Sequence, residues 1–265
     1  MTIFRNYLYC MNDNGNILVF IIGSNNHIDY TNQHRIDIPK IKSIAVNSLY
    51  FGIIFADLES KYYKKIDKNN TLSSGVLLFK KDNDKIDVSK YDKLLNILNN
   101  FKLPNSLSLN EDYAFVCDKE LKAVFKININ NGQLIEKITF DKGIPSYCSI
   151  NHNYILISDT LNHKLCLFDI NNLKNNISNQ QLDNYDGNEG PHNVYLTNNN
   201  HIIYKYYKDS QLVVTDVNFS DNILFNDLDF KVDSFSFCSF YDKPFLITCE
   251  NDSNKNSKLS VFILI

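Results

Sequence analysis

Polar residues recur at two kinds of position along this chain, and their types suit oxygen-ligand or acid–base chemistry. The first set opens successive copies of a repeat: Asn105 after Pro104, Ser146 after Pro145, His192 with Asn193 after Pro191, and Asp233. The second set, Asp57, Asp118, Asp159 and Glu250, ends apolar runs. Amide, hydroxyl and carboxylate oxygens gathered in one place suit a hard, calcium-like cation, with Asn105 and Asp233 the first metal-ligand candidates. The imidazole of His192 suits a ligand or a general base near neutral pH. Asp118 and Asp159 also have a purely structural reading, because an Asp at a strand end commonly accepts backbone N–H bonds from its turn. His163, in a turn, and the other histidines outside these sets are expected in solvent. A third candidate is the Tyr62 and Tyr63 pair, set among lysines in residues 59–68, where a long loop suits an acidic ligand or partner. Neither a Ser/His/Asp elbow, a P-loop nor a GxGxxG cradle is present, in keeping with only 8 glycines.

The elements that must position these groups follow from an internal repeat. Residues 104–127, 145–170 and 191–217 each run from a proline through an apolar alternation, a polar turn, a second apolar strand, another turn and a third strand. Weaker copies lie at 41–79 and 232–262, with an amino-terminal fragment at 7–10 and 17–22. Short runs of β-branched and aromatic residues between Asn/Asp/Gly turns are strand chemistry, and a period of roughly 40 to 47 residues with three or four strands fits a propeller blade. The predicted fold is all-β, a six-bladed β-propeller forming a single domain over residues 1–265. Because the first copy shows no innermost strand and the last stops on its third, the two ends of the chain are expected to close one blade together. In such a fold both polar sets lie on one face around the central channel. Tyr91, Leu94, Leu95 and Leu98 follow helical spacing, so residues 89–99 read as either a short helix or an outer strand.

Composition narrows the partners. The net charge of -3 is spread over mixed signs with no basic stripe, so neither nucleic acid nor an anionic membrane is an expected partner. No run of about 18 apolar residues occurs, and the amino terminus has no secretory pattern, so a cytoplasmic protein is expected. The 6 cysteines sit in apolar strand-like runs without a CxxC pair and read as reduced, buried hydrophobes. The abundance of Asn beside only two arginines, Arg5 and Arg35, reads as coding bias.

The string Ile157-Ser158-Asp159-Thr160-Leu161-Asn162-His163-Lys164-Leu165-Cys166-Leu167-Phe168-Asp169 resembles an NHL-type blade, and similar strings occur in the gluconolactonase or senescence-marker family. Gly190-Pro191-His192-Asn193-Val194, with Leu212 to Asp216 downstream, resembles the lactonases built on YVTN-type repeats. These resemblances span about three copies and imply a propeller. The gluconolactonase likeness implies a metal-site Asn at Asn105, but Ser146 and His192 replace the Asn and Asp that its later copies carry. In the YVTN-type pattern His192 stands where an Arg is expected and Tyr207 near a Glu. The expected function is therefore a non-catalytic protein- or ligand-binding propeller that uses its channel face and needs no cofactor. The alternative is a lactonase-like or other metal-assisted hydrolase with one calcium-like divalent cation at the channel mouth.

Overall fold

The computed structural model describes residues 1–11, 16–23, 28–35, 41–56, 74–82, 85–86, 92–95, 101–182, 190–206, 212–220, 222–225, 232–240, 243–251 and 257–263, and every regular element among them is a β-strand. The chain divides into two compact units, Met1–Thr139 and Phe140–Ile265.

The first unit holds three antiparallel sheets. β1 (Thr2–Phe4), β2 (Tyr7–Met11), β3 (Asn16–Ile22) and β4 (Ile28–Arg35) form the first in chain order. In the second, β5 (Ile41–Val46), β6 (Tyr50–Phe55) and β7 (Gly75–Asp82) are joined by two short strands on β7, β8 (Lys85–Ile86) and β9 (Lys93–Leu95). The third is β10 (Pro104–Leu109), β11 (Tyr113–Asp118), β12 (Ala123–Asn128) and β13 (Leu134–Thr139).

The second unit repeats the plan. It holds β14 (Pro145–Ile150), β15 (Tyr154–Asp159), β16 (Lys164–Asp169) and β17 (Asn172–Gln181), then β18 (Pro191–Leu196), β19 (His201–Tyr206), β20 (Leu212–Asp216) and β21 (Asn222–Phe225). Its last sheet has three strands, β22 (Val232–Phe240), β23 (Lys243–Asn251) and β24 (Ser257–Ile263).

Two expectations are corrected. Among the described residues there are five blades of four or more strands, not six, and the carboxy-terminal sheet stops at three. Nor, among the described residues, do the two ends of the chain share a blade. β1 pairs with β2 through a tight turn in which Arg5 takes φ 55°, so residues 2–35 supply all four strands of their own sheet. Thr2–Phe4 is too short to show alternation, which is why the first copy reads as lacking a strand. The choice left open at residues 89–99 resolves for Lys93–Leu95, which pairs with β7 from Val76↔Leu95 to Leu78↔Lys93.

Middle strands read as continuous apolar runs because both of their faces are covered: from the second residue onward, every side chain of β6, β11 and β15 is buried. The outer strand β13 is largely exposed and carries Glu136 and Lys137 at its centre. Between the first two sheets Tyr9, Ile17 and Val19 meet Phe51, Phe55 and Leu77, with the Tyr9 and Phe51 rings 5.7 Å apart. Between the second and third, Ala45, Ile54 and Leu78 pack on Leu107, Val116 and Phe125. In the second unit Leu156, Leu165 and Leu167 face Val194, Leu196 and Tyr204.

Adjacent sheets are also tied by one recurring polar device, an Asn after the first strand. Asn47 caps its hairpin by accepting from Leu49 and Tyr50 N–H through Oδ1, and its Nδ2 donates to Asn110 O of the next sheet at 2.7 Å. Asn151 does the same in the second unit: Oδ1 accepts from Asn153 and Tyr154, while Nδ2 donates to Thr197 O at 2.9 Å. Asn151→Ala strips both ends of a buried tie and is expected to destabilise by about 1–3 kcal/mol in urea unfolding. A change within ~0.5 kcal/mol of zero, the ordinary surface range, would mean the tie carries no net energy.

Candidate functional site

The sequence-predicted residues occupy a repeated backbone irregularity. Where β10 joins β11 the register jumps from Pro104↔Asp118 to Ser106↔Cys117, leaving Asn105 as the extra residue of a β-bulge. The jump from Pro145↔Asp159 to Tyr147↔Ser158 singles out Ser146 in the same way, and that from Val232↔Glu250 to Ser234↔Cys249 singles out Asp233. β5 carries the same bulge at Lys42, between Ile41↔Phe55 and Ser43↔Ile54, a member the sequence reading missed. In β18 the jump falls between His192↔Lys205 and Val194↔Tyr204, so Asn193 and not His192 is the extra residue. Its φ of 52° is the reason, since Asn tolerates the left-handed region.

Bulges re-aim side chains, yet these five differ in what they present. Lys42 is exposed, and Asn105 and Asn193 are half-buried. Ser146 is fully buried, its Oγ 2.7 Å from Thr160 Oγ1 and 3.4 Å from Ile144 O, which commits it to its own turn. Asp233 and Glu250 are placed on their strands, but their side chains lie outside the described residues, as do Tyr62, Tyr63 and Asp57 altogether. Asn105 belongs to the first unit, and Ser146, His192, Asn193 and Asp233 to the second.

Within the second unit His192 meets a partner that the sequence did not mark. Its Nδ1 lies 3.3 Å from the Tyr147 hydroxyl, and the two rings stand 5.3 Å apart at 56°. Both are half-buried, on neighbouring first strands β14 and β18, each beside its bulge. A tilted aromatic pair with a shared hydrogen bond can stack against or hydrogen-bond an incoming group.

Asp118 and Asp159 do what turn chemistry expects, and more. Asp118, at 0% exposure, accepts from the N–H groups of Glu120 and Leu121 in its own turn. It also accepts from Lys102 at 2.7 Å and Leu103 at 3.1 Å, holding the segment that leads into β10. Asp159, at 3% exposure, accepts from Ile144 N at 2.9 Å, Asn162 N at 3.2 Å and Asn162 Nδ2 at 2.7 Å. Gly143 lies so close that a Cβ there would sit 2.2 Å from Asp159 Oδ2. His163, expected in solvent, instead holds φ 51° with its Nδ1 shielded and without a hydrogen-bond partner. Among the described residues no group of three or more His, Cys, Asp or Glu is disposed to hold a metal ion.

The thiols support the reading of cysteine as a small apolar residue. Cys117, Cys148 and Cys166 are buried and unbridged, whereas Cys10, also unbridged, is only half-buried, and burial together with the Asp159 charge pushes the Cys166 thiol up to about 12. At pH 8 these three are expected to resist a thiol reagent in the native protein, while unfolding without reductant releases 6 titratable thiols. Rapid native labelling at Cys117 or Cys166, read by mass spectrometry, would contradict the buried placement.

No family model matches the chain, and no curated protein matches it. Among solved structures it is similar to the β-propeller domain of Cps50 (Swd1) from Myceliophteria thermophila, with a TM-score of 0.63 and 8% identity over 98% of this chain and 94% of that one. The fold is a β-propeller. At this identity the likeness speaks for the propeller architecture alone. Neither the NHL-type nor either lactonase-like family, which the repeat strings resemble, is assigned by these comparisons.

Proposed function

We propose that this propeller is a non-catalytic binding domain, cytoplasmic and acting as one domain, which takes a protein partner on the blade ends where the bulges lie. The observation that carries the reading is the bulge itself. One backbone device recurs at the start of the first strand in five sheets, while the residue it sets out changes from Lys42 to Asn105, Ser146, Asn193 and Asp233. Constant geometry with changing polar chemistry suits recognition, on the blade ends of each unit. The hydrolase alternative needs carboxylates open to a metal or a substrate. Asp118 and Asp159 instead spend theirs on local hydrogen bonds, most of them to backbone N–H groups.

The test is differential affinity capture from cell extract with three versions of the chain. An Asn105→Ala/His192→Ala/Asn193→Gly variant clears the bulge ends, glycine being chosen to keep the positive φ at 193. An Asp112→Ala/Asn153→Ala variant alters exposed hairpins at the other end of the strands. Proteins retained by the native chain and the hairpin variant but lost from the bulge variant support the reading. Equal retention by all three overturns it, as does cation-dependent lactone or ester hydrolysis that His192→Ala abolishes.

A further inference from the structure

The chain holds two Asn-Gly pairs, Asn14-Gly15 and Asn131-Gly132, and the second lies among the described residues, in the hairpin that joins β12 to β13. Asparagine followed by glycine is a reactive pair, because no Cβ shields the glycine nitrogen from the amide carbon of the residue before it. The neighbouring asparagines lack this: Asn128 precedes the β-branched Ile129, and Asn130 precedes Asn131. Three features of the hairpin present the pair. Asn131 is exposed, so water reaches its amide. Asn128 Oδ1 accepts from Asn130 N at 2.8 Å and Asn131 N at 3.2 Å, and Gly132 takes φ 70°, so the chain reverses sharply at these residues. Finally, Gln133 N donates to Asn131 Oδ1 at 3.0 Å. That bond curls the side chain forward over Gly132, the direction in which a ring with the Gly132 nitrogen closes, and it draws electron density from Cγ as an oxyanion donor does. One contact opposes reaction: Gly132 N donates to Asn128 O at 2.9 Å. The nitrogen keeps its proton until that bond opens, so the folded chain reacts at the pace at which an exposed hairpin end breathes.

We propose that Asn131 is a self-modification site, converting to aspartate and isoaspartate without an enzyme. Gly132 N gives its proton to hydroxide and attacks Asn131 Cγ. The N–Cγ bond forms, the Cγ–Nδ2 bond breaks, and Nδ2 leaves as ammonia after taking a proton from water. Water then opens the five-membered imide. Cleavage of N–Cγ leaves aspartate; cleavage between the same nitrogen and the Asn131 main-chain carbonyl carbon leaves isoaspartate, with the backbone running through Cβ and Cγ. The sum is hydrolysis of one amide, with no redox change. Either product replaces the amide by a carboxylate, so the donation of Asn131 Nδ2 to Gln133 Oε1 at 3.2 Å is lost, and isoaspartate adds a methylene to the turn that leads into β13. This hairpin lies at the strand ends away from the bulges, so the inference stands apart from the binding reading. The test is incubation of the full native chain at 37 °C, followed by acidic proteolysis and peptide mass spectrometry. Asn131 is expected to gain about one dalton over days, ahead of every other asparagine in residues 101–182, and faster at about pH 8.5 than at about pH 6.5 because hydroxide takes the proton. Gly132→Ala should slow the gain roughly tenfold by shielding the nitrogen. Should that variant not fold, Asn131→Gln decides: at an exposed position it lengthens the side chain beyond five-membered closure and should abolish the gain. An unchanged Asn131 in the native chain, beside conversion in the chain unfolded in urea, overturns the proposal by showing that the Gly132 to Asn128 bond protects the pair. Equal gains at Asn128, Asn130 and Asn131 overturn it in favour of unselective hydrolysis.

Discussion

Asp118→Ala is expected to destabilise the first unit by about 3–5 kcal/mol, at the top of the range for single substitutions. The carboxylate is fully buried and receives the N–H groups of Lys102, Leu103, Glu120 and Leu121, two from the strand lead-in and two from its own turn. Alanine leaves these four N–H groups at a part-buried turn without their acceptor. Each buried donor without an acceptor costs about 1–3 kcal/mol before any relaxation that lets water in. Asp118→Asn should recover only part of the loss, because one of the two acceptor oxygens becomes an NH2 that confronts backbone N–H groups. Equilibrium urea unfolding followed by tyrosine fluorescence reads both variants. A loss below about 1 kcal/mol for the alanine variant would mean that the turn re-forms around water and that Asp118 is no keystone.

How far the sequence reaches is plain in these same residues. Asp118 and Asp159 are legible as turn-capping acids because Asp at a strand end followed by short polar residues has a local reason to be there. That they also hold the lead-in some fifteen residues upstream is not legible, since it depends on the register Pro104↔Asp118 and Pro145↔Asp159. The repeat shows the strands and the propeller because middle strands buried on both faces leave unbroken apolar runs. It misleads at the edges. Thr2–Phe4 is a three-residue strand with no period to detect, and losing it yields the shared-blade expectation; the blade count errs at the other end, where the copy at 232–262 forms a sheet of only three strands.

The candidate site shows the same division. Prolines lead to Asn105 and Ser146, but counting from Pro191 lands on His192, one residue short of the bulge at Asn193, because backbone conformation and not spacing sets the jump. Tyr147 escapes notice altogether: its role depends on β14 lying beside β18, a contact between repeats that no single repeat encodes. Lys42 escapes because the bulge that sets it out depends on the pairing of β5 with β6, which no residue type marks.

Gly143→Ala is expected to cost about 2–4 kcal/mol, for a reason that a second substitution isolates. Its φ lies outside the left-handed region, so the backbone tolerates alanine and space alone decides. The added Cβ would fall 2.2 Å from Asp159 Oδ2 and 2.8 Å from its Cγ. No flexible chain end yields here, because the carboxylate is pinned by Ile144 N, Asn162 N and Asn162 Nδ2. The methyl must push the acid off its donors or shift the strand lead-in, and either loses buried hydrogen bonds. Asp159→Ala alone is expected to cost about 3–5 kcal/mol by the reasoning that applies to Asp118. In that background the carboxylate is gone and the methyl introduced by Gly143→Ala has room, so the double variant should be no less stable than Asp159→Ala. The two effects then fall short of additivity by nearly the whole cost of Gly143→Ala, a coupling of about 2–4 kcal/mol, against the ~0.5 kcal/mol within which independent sites add. Guanidinium unfolding of the four proteins closes the cycle. Additive losses would show that Gly143 is needed for something other than the seat of the Asp159 carboxylate, and would remove the argument that these buried acids organise the blade ends on which the proposed binding surface stands.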